Sequence, residues 1–403
     1  MNAITIKDLD VIFGDNPSKA IELLEQGESR QNIIDQTGQV VGVDGVNISV
    51  KEGEICVLMG LSGSGKSSLL RAINGLNTIS RGSLEIKDGD SLVDLANCNE
   101  STLRHLRTHR VSMVFQKFAL MPWLTVLDNV AFGLEMKGMS KAKRRSKALE
   151  QLEMVGLAEW ADKHPHELSG GMQQRVGLAR AFAMDTDVLL MDEPFSALDP
   201  LIRAQLQDEL LELQTKLNKT IVFVSHDLDE ALKIGNNIAI MESGRLIQHG
   251  TPEEIVLAPK TQYVKDFVAH TNPLNVLKGR SLMQPIEDLT TENHRIQLCS
   301  SNDIWIQSPT SDDQLENLNI SSVDPLVLVQ WEEIQNLDAI QPNMLIVASP
   351  EISMRDAIEL KNRTCHPVLM AEHGQLIGVL NDGDFYNALL GNYQSFEQSS
   401  NAA

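Results

Sequence analysis

Two glycine-rich runs carry the most chemistry in this sequence. "GLSGSGKSS" spans Gly60 to Ser68, and "LSGGMQQR" spans Leu168 to Arg175. In the first, Gly60, Gly63 and Gly65 let backbone N–H groups turn inward around anionic oxygens at the positive end of a following helix. Ser62, Ser64 and Ser68 complete that phosphate-binding set. Lys66 adds a point charge between a β- and a γ-phosphate, and the Ser67 hydroxyl can ligate Mg²⁺. "DTDVLLMDEPFSALDP" then ends an apolar run on two carboxylates. Asp192 is placed to hold Mg²⁺ through water, and Glu193 to orient a water for attack on a terminal phosphate. "TIVFVSHD" delivers His226, which can bond the γ-phosphate.

These groups need rigid carriers. "EICVLMG" and "VLLMD" are apolar on both faces, the pattern of buried parallel strands. "SSLLRAINGL" takes up helical periodicity directly after the first glycine run. Strand, G-x-x-x-x-G-K-S and helix in that order define a phosphate-binding loop.

The motif set resembles the nucleotide-binding subunit of an ATP-binding-cassette (ABC) transporter over roughly residues 1–278. Gly60 to Ser67 matches the Walker A motif, "VLLMDE" the Walker B motif and "SALD", ending at Asp199, the D-loop. Gln116 matches the Q-loop, His226 the switch histidine, and "LSGGMQQR" the family signature. The resemblance implies an α/β P-loop ATPase with a RecA-like core, an antiparallel β subdomain and a helical signature region over 117–180. It implies ATP and Mg²⁺ as ligands, with Ser67, Gln116 and Asp192 around the metal, and Glu193, His226 and Gln116 as catalytic residues. It also implies that two copies face each other head to tail. Ser169, Gly170 and Gly171 of one copy, with Asp199, then close over the ATP held by the other. Such cassettes often stack adenine on an aromatic about two dozen positions before Walker A. Here that stretch reads "GQVVGVDGVNISV" without an aromatic, so Val41, Val43 or the more distant Phe13 is left to meet the base.

The bulk composition sorts the remaining classes. A net charge of −21 argues against a nucleic-acid partner, which would favour a basic face. Hydrophobic residues make up 42% of the 403, yet no apolar run reaches the ~18 residues of a membrane span. No signal pattern opens the chain, and Cys56, Cys98, Cys299 and Cys365 show no C-x-x-C spacing, so the expected address is the cell interior. Cassettes for DNA repair or translation predict a second cassette, long heptads or zinc-type cysteine pairs, and none of these is in the sequence. A separate, multi-span permease partner is therefore expected, with a substrate-binding protein acting indirectly. That places the chain peripherally on the cytoplasmic face of the bacterial inner membrane.

Three stretches narrow the resemblance to importers of glycine betaine, proline betaine and choline. They are "MGLSGSGKSSLLRAINGL", "FALMPWLTVLDNVAFG" and "FSALDPLIRAQLQDEL", together with a helical insertion over 14–43. "FVAHTNPLNVLKGRSLM" resembles the choline members. The alternatives are a cassette for another small polar solute or a regulatory ABC ATPase with no transport role.

Beyond Ser281 the chain carries 4 basic and 18 acidic residues, −14 of the total charge. This shift and the helix-breaking "HTNPLNVLKG" predict a domain change at 278/279. The acidic part, 279–403, is expected to be a small α/β regulatory or dimerisation domain. It resembles a degenerate CBS module at about 340–392. Asn381 and Asp384 stand where nucleotide-binding modules carry Ser or Thr three residues before Asp. "LVLVQWEEIQNL" (Leu326 to Leu337) is read as the end of an eroded first copy, with Gln330 and Glu333 at its matching positions.

Overall fold

A computed structural model describes all residues except 117, 197, 270, 273–275, 300–302, 308–319, 324, 335 and 390–403. It divides into two compact units, Met1–Ile255 with Pro259–Lys265, and Val256–Ala258 with Asp266–Ala403.

The first unit is built on a six-stranded sheet. Its strand order is Arg245–Gly250, Asn237–Glu242, Ile55–Met59, Thr220–Val224, Val188–Asp192 and Val111–Val114. All neighbours run parallel except the first pair. Every residue of Ile55–Met59, Val188–Asp192, Thr220–Val224 and Val111–Val114 is buried, which explains their predominantly apolar sequences. A second, antiparallel sheet of four strands lies in the order Val40–Lys51, Asn2–Phe13, Arg81–Asp88 and Ser91–Asp94. One core joins the sheets, with Ile4, Ile6, Val46 and Leu84 from the antiparallel sheet packed with Cys56, Leu58, Val222 and Leu190. Each such side chain contributes roughly 1.5–3 kcal/mol by leaving water.

Between the strands Val111–Val114 and Val188–Asp192 stands a helical region. Helices Val126–Met136, Lys141–Met154 and Gly170–Ala183 share their own core, including Val130, Leu134, Leu152 and Val176. The basic run in the second of these helices is a solvated face in which Arg144 pairs with Glu135 at 3.0 Å and Arg145 with Asp128 at 2.8 Å.

The insertion is two helices, Pro17–Glu25 and Arg30–Thr37. It is shorter than the 14–43 expected, because residues 40–43 already belong to the strand Val40–Lys51. Gly38, at φ +68°, ends the second helix in the left-handed conformation.

The second unit holds a five-stranded mixed sheet in the order Gln284–Pro285, Gln375–Leu380, Val368–Glu372, Met344–Ala348 and Val327–Gln330. Helix Met354–Thr364 connects its parallel strands Met344–Ala348 and Val368–Glu372. A four-stranded antiparallel sheet, Thr291–Glu292, Arg295–Cys299, Ile304–Gln307 and Ile320–Ser321, packs beside it through Ile296, Ile306, Leu345 and Val379.

Two expectations change here. The division falls before 278, because Leu277 is buried in the second unit's core and Met354 N–H donates to its carbonyl at 3.1 Å. The burial of Leu277, not the helix-breaking composition before it, decides where the chain packs. Leu326–Leu337 is also not the end of a separate copy. Its strand Val327–Gln330 runs parallel to Met344–Ala348 within the same sheet.

Candidate functional site

The loop Gly60–Ser68 leaves the buried strand Ile55–Met59 and enters helix Lys66–Ile73. Gly60 has φ +138° and Gly65 φ +102°; a Cβ on Gly60 would meet Met241 O at 2.1 Å, and one on Gly65 would meet Gly42 O at 2.4 Å. Only glycine fits either position. The Lys66 ammonium turns into the loop, donating to Gly60 O at 2.8 Å and Leu61 O at 3.0 Å. Burial lowers its pKa, opposed by the nearby Glu193 and Asp192 carboxylates. A third tie comes from Leu61 N–H, which donates to the Tyr263 hydroxyl at 3.3 Å.

Strand ends bring the carboxylates to this loop. Asp192, buried, accepts from the Ser67 hydroxyl at 2.8 Å and faces Arg71 at 3.4 Å. Glu193 then turns the chain out of the sheet with φ +48°. A left-handed glutamate costs about 1–2 kcal/mol, so the surroundings must hold it. Its N–H donates to Val224 O at 3.2 Å. Its Oε2 accepts from Gln116 Nε2 at 3.0 Å and lies 3.4 Å from His226 Nδ1. Gln116, Glu193 and His226 thus meet at one oxygen atom, each delivered by the end of a different parallel strand.

A cleft of about 660 Å³ runs over these groups, lined among others by Lys66, Ser67, Gln116, Glu193 and His226. Phe13, Arg30, Val40 and Gly42 line it as well. Here the expectation for the base is corrected in part. Val41 and Val43 are both 0% exposed, committed to the core, whereas Phe13 is 41% exposed. The Phe13 ring lies against bare glycine backbone, since a Cβ on Gly42 would be 2.6 Å from Phe13 Cε2.

The second glycine run lies elsewhere. Ser169 caps helix Gly170–Ala183, its side chain accepting from Met172 N at 3.4 Å. Ser169, Gly170 and Gly171 do not line the cleft of their own chain. Asp199 caps helix Pro200–Leu217 by accepting from Ile202 N at 3.0 Å, and it too is absent from that lining. Ala197 of "SALD" is outside the described residues.

Two residues that the motifs did not mark shape the loop after Gln116. Phe118 and Ala119 are left-handed, at φ +55° and +48°. The half-buried Arg180 guanidinium holds both, donating to Phe118 O at 2.8 Å and Ala119 O at 2.6 Å. Asn129, 0% exposed, accepts from Met121 N at 2.8 Å and donates to the carbonyls of Met121, Leu124 and Thr125. This frame leaves Trp123 73% exposed at the loop's tip.

In the second unit, the Asn381 and Asp384 side chains are engaged locally. Asn381 N–H donates to Asp384 Oδ2 at 2.7 Å, and Asn381 Nδ2 donates to Leu298 O at 3.1 Å. Burial raises the Asp384 pKa.

This geometry has counterparts among known proteins. The family model described as "ABC transporter" matches residues 43–196. The glycine betaine/proline betaine transport system ATP-binding protein ProV of Escherichia coli is 53% identical over 279 residues, 69% of each chain. The glycine betaine/carnitine transport ATP-binding protein GbuA of Listeria monocytogenes is 40% identical over 399 residues, covering 97% of this chain and 98% of that protein. Among solved structures, the dimeric post-hydrolysis ATP-binding cassette MJ0796, bound to ADP and Pi, superposes with a TM-score of 0.53 at 30% identity, over 62% of this chain and 98% of that one. The chain belongs to the ABC transporter family, among the ATP-binding subunits represented by these glycine betaine systems.

Proposed function

We propose that this chain hydrolyses ATP to drive import of a quaternary ammonium solute, choline or a betaine, through a partner permease. The observation that carries this reading is the end-to-end likeness to a glycine betaine/carnitine ATP-binding protein, which extends through the second unit as well as the cassette.

The residues divide the work. The N–H groups of the loop from Gly60 to Ser68, with Lys66, bind the phosphates and neutralise their charge. Glu193 orients a water whose oxygen attacks the γ-phosphorus, while the bond from that phosphorus to the β–γ bridging oxygen breaks. ADP and inorganic phosphate result, and the water's proton passes toward the Glu193 carboxylate. Gln116 fixes that carboxylate through its 3.0 Å hydrogen bond, and His226 faces the same oxygen. The donor set suits Mg²⁺, because Ser67 and Asp192 present hard oxygens 2.8 Å apart beside the phosphate loop. Ser67, Asp192 and the Gln116 amide would hold the ion, which when bound offsets phosphate charge. Ser169, Gly170, Gly171 and Asp199 serve the nucleotide of a second copy, and the exposed tip around Trp123 meets the permease. The assembly sits on the cytoplasmic face of the inner membrane. The acidic second unit is a CBS-like regulatory or dimerisation element in which Asp384 caps its own helix.

Phe13 stacks on adenine. Phe13→Ala is expected to raise the KM for ATP about tenfold, with Phe13→Trp restoring it, as base stacking contributes roughly 1–3 kcal/mol. Equal KM values for the three proteins would remove Phe13 from the base site. The solute is tested by uptake of labelled choline, glycine betaine, proline betaine and trimethylamine N-oxide into a strain lacking this chain, with and without its return. Unchanged uptake of all four would overturn the transport assignment.

A further inference from the structure

The two-helix insertion places a cation in the nucleotide cleft that none of the cassette motifs supplies. We propose that Arg30 is a nucleotide-binding residue, its guanidinium contacting the α-phosphate and ribose end of ATP, so that the insertion forms one wall of the site. The inference rests on the ATP reading above and adds a residue to it.

Position is the first argument. Arg30 opens the helix Arg30–Thr37, which Ser29 caps by accepting from Asn32 N at 3.2 Å. Ile33, 0% exposed, anchors that helix in a small core with Ile12, Ala20, Leu24 and Val41. Ile12 and Val41 directly precede Phe13 and Gly42, the two residues that meet at the base end of the cleft. The packing that holds the insertion therefore also fixes where Arg30 stands.

Hydrogen bonding and charge give the second argument. Arg30 Nη1 donates to Gly63 O in the phosphate loop at 3.4 Å, and Nη2 donates to Val41 O. These two bonds engage two of the five N–H donors of a guanidinium, and the rest of the fork is free for a planar, charge-assisted contact with phosphate or a ribose hydroxyl. Arg30 forms no ion pair among the described residues. The acid that acts on it, Asp44, is paired with Arg245 at 2.5 Å. A positive charge in the first turn of a helix also opposes the helix dipole, and this helix has no acidic residue there to offset it. The protein thus holds a half-buried, unneutralised guanidinium against the rim of a cleft whose other cation is Lys66.

Location then selects the part of the ligand. The bonds to Gly63 and Val41 put Arg30 on the Phe13 side of the loop. The hydrolytic groups, Gln116, Glu193 and His226, converge on their own oxygen at the strand ends. Arg30 should consequently sense what ATP and ADP share.

The test is calorimetric titration of the full chain with ATP and with ADP, comparing wild type, Arg30→Gln, Arg30→Lys and Ser29→Ala. Arg30→Gln is expected to weaken both nucleotides alike, by roughly tenfold, as loss of a charge-assisted hydrogen bond implies. Arg30→Lys recovers part of the loss, and the salt dependence of affinity becomes shallower in Arg30→Gln. Ser29→Ala removes the helix cap, leaves the guanidinium, and should bind like wild type. Unchanged affinity in Arg30→Gln overturns the proposal. So does an equal loss in Ser29→Ala, which would make the effect one of helix stability. A loss confined to ATP would place Arg30 at the γ-phosphate and refute the assignment to the ribose end. Wild-type protein that binds neither nucleotide would overturn the ATP reading itself.

Discussion

Glu193→Gln holds ATP and scarcely turns it over: kcat falls by roughly 10²–10⁴-fold, the range expected when a positioned base is lost. The substitution keeps the side chain's length, and the amide oxygen can still accept the Gln116 Nε2 hydrogen bond that measures 3.0 Å in the native chain. The backbone turn at φ +48° is unaffected by the exchange, since it is held by the Glu193 N–H bond to Val224 O. What disappears is the negative charge that draws the water's proton. Phosphate binding survives because the loop N–H groups and Lys66 are untouched. ATP should therefore accumulate in an assembled, long-lived dimer, visible by gel filtration with bound nucleotide. Steady-state hydrolysis at the wild-type rate would show that Glu193 is not the base and that its strained backbone has another cause.

How far these assignments could be read without coordinates depends on whether the determinant is local. The phosphate loop is encoded within nine residues, Gly60 to Ser68, and its geometry follows from two glycine positions that admit no Cβ. Buried strands such as Val188–Asp192 announce themselves because both faces are apolar. Sequence alone leaves Val41, Val43 and Phe13 all open as base contacts, for the opposite reason. Counting back along the chain from the loop reaches Val41 and Val43, whereas the insertion separates Phe13 in sequence from the glycine it covers in space. Periodicity could not assign Leu326–Leu337 either, because a strand's partner is a tertiary fact, here the parallel strand Met344–Ala348. Arg180 and Asn129 bind backbone carbonyls of a loop with no regular structure, and no spacing rule marks such residues.

The second large effect concerns the other glycine run. Gly170 and Gly171 are ordinary right-handed helix positions, and a Cβ on Gly170 would meet nothing within 4 Å. Glycine there costs about 1 kcal/mol relative to alanine. A Cβ on Gly171 would come within 3.0 Å of Leu198 Cδ2, but among the described residues nothing crowds Gly170, so its bare backbone suits something that approaches from outside. A helix N-terminus with exposed N–H groups favours an anion. On the head-to-tail reading proposed above, that anion belongs to the nucleotide of a second copy. Ser169→Arg should then abolish hydrolysis while the isolated chain still binds ATP. A mixture separates action across chains from action within one. In a Glu193→Gln background, a Lys66→Ala chain is paired with a Ser169→Arg chain. Across-chain action puts both defects in the same composite site of the mixed dimer and leaves the other site whole, so mixed dimers retain ATP through gel filtration and neither homodimer does. If the signature served its own chain, each subunit would be disabled separately, and the mixture would retain none. That outcome would refute the head-to-tail arrangement, as would loss of ATP binding by the isolated Ser169→Arg chain.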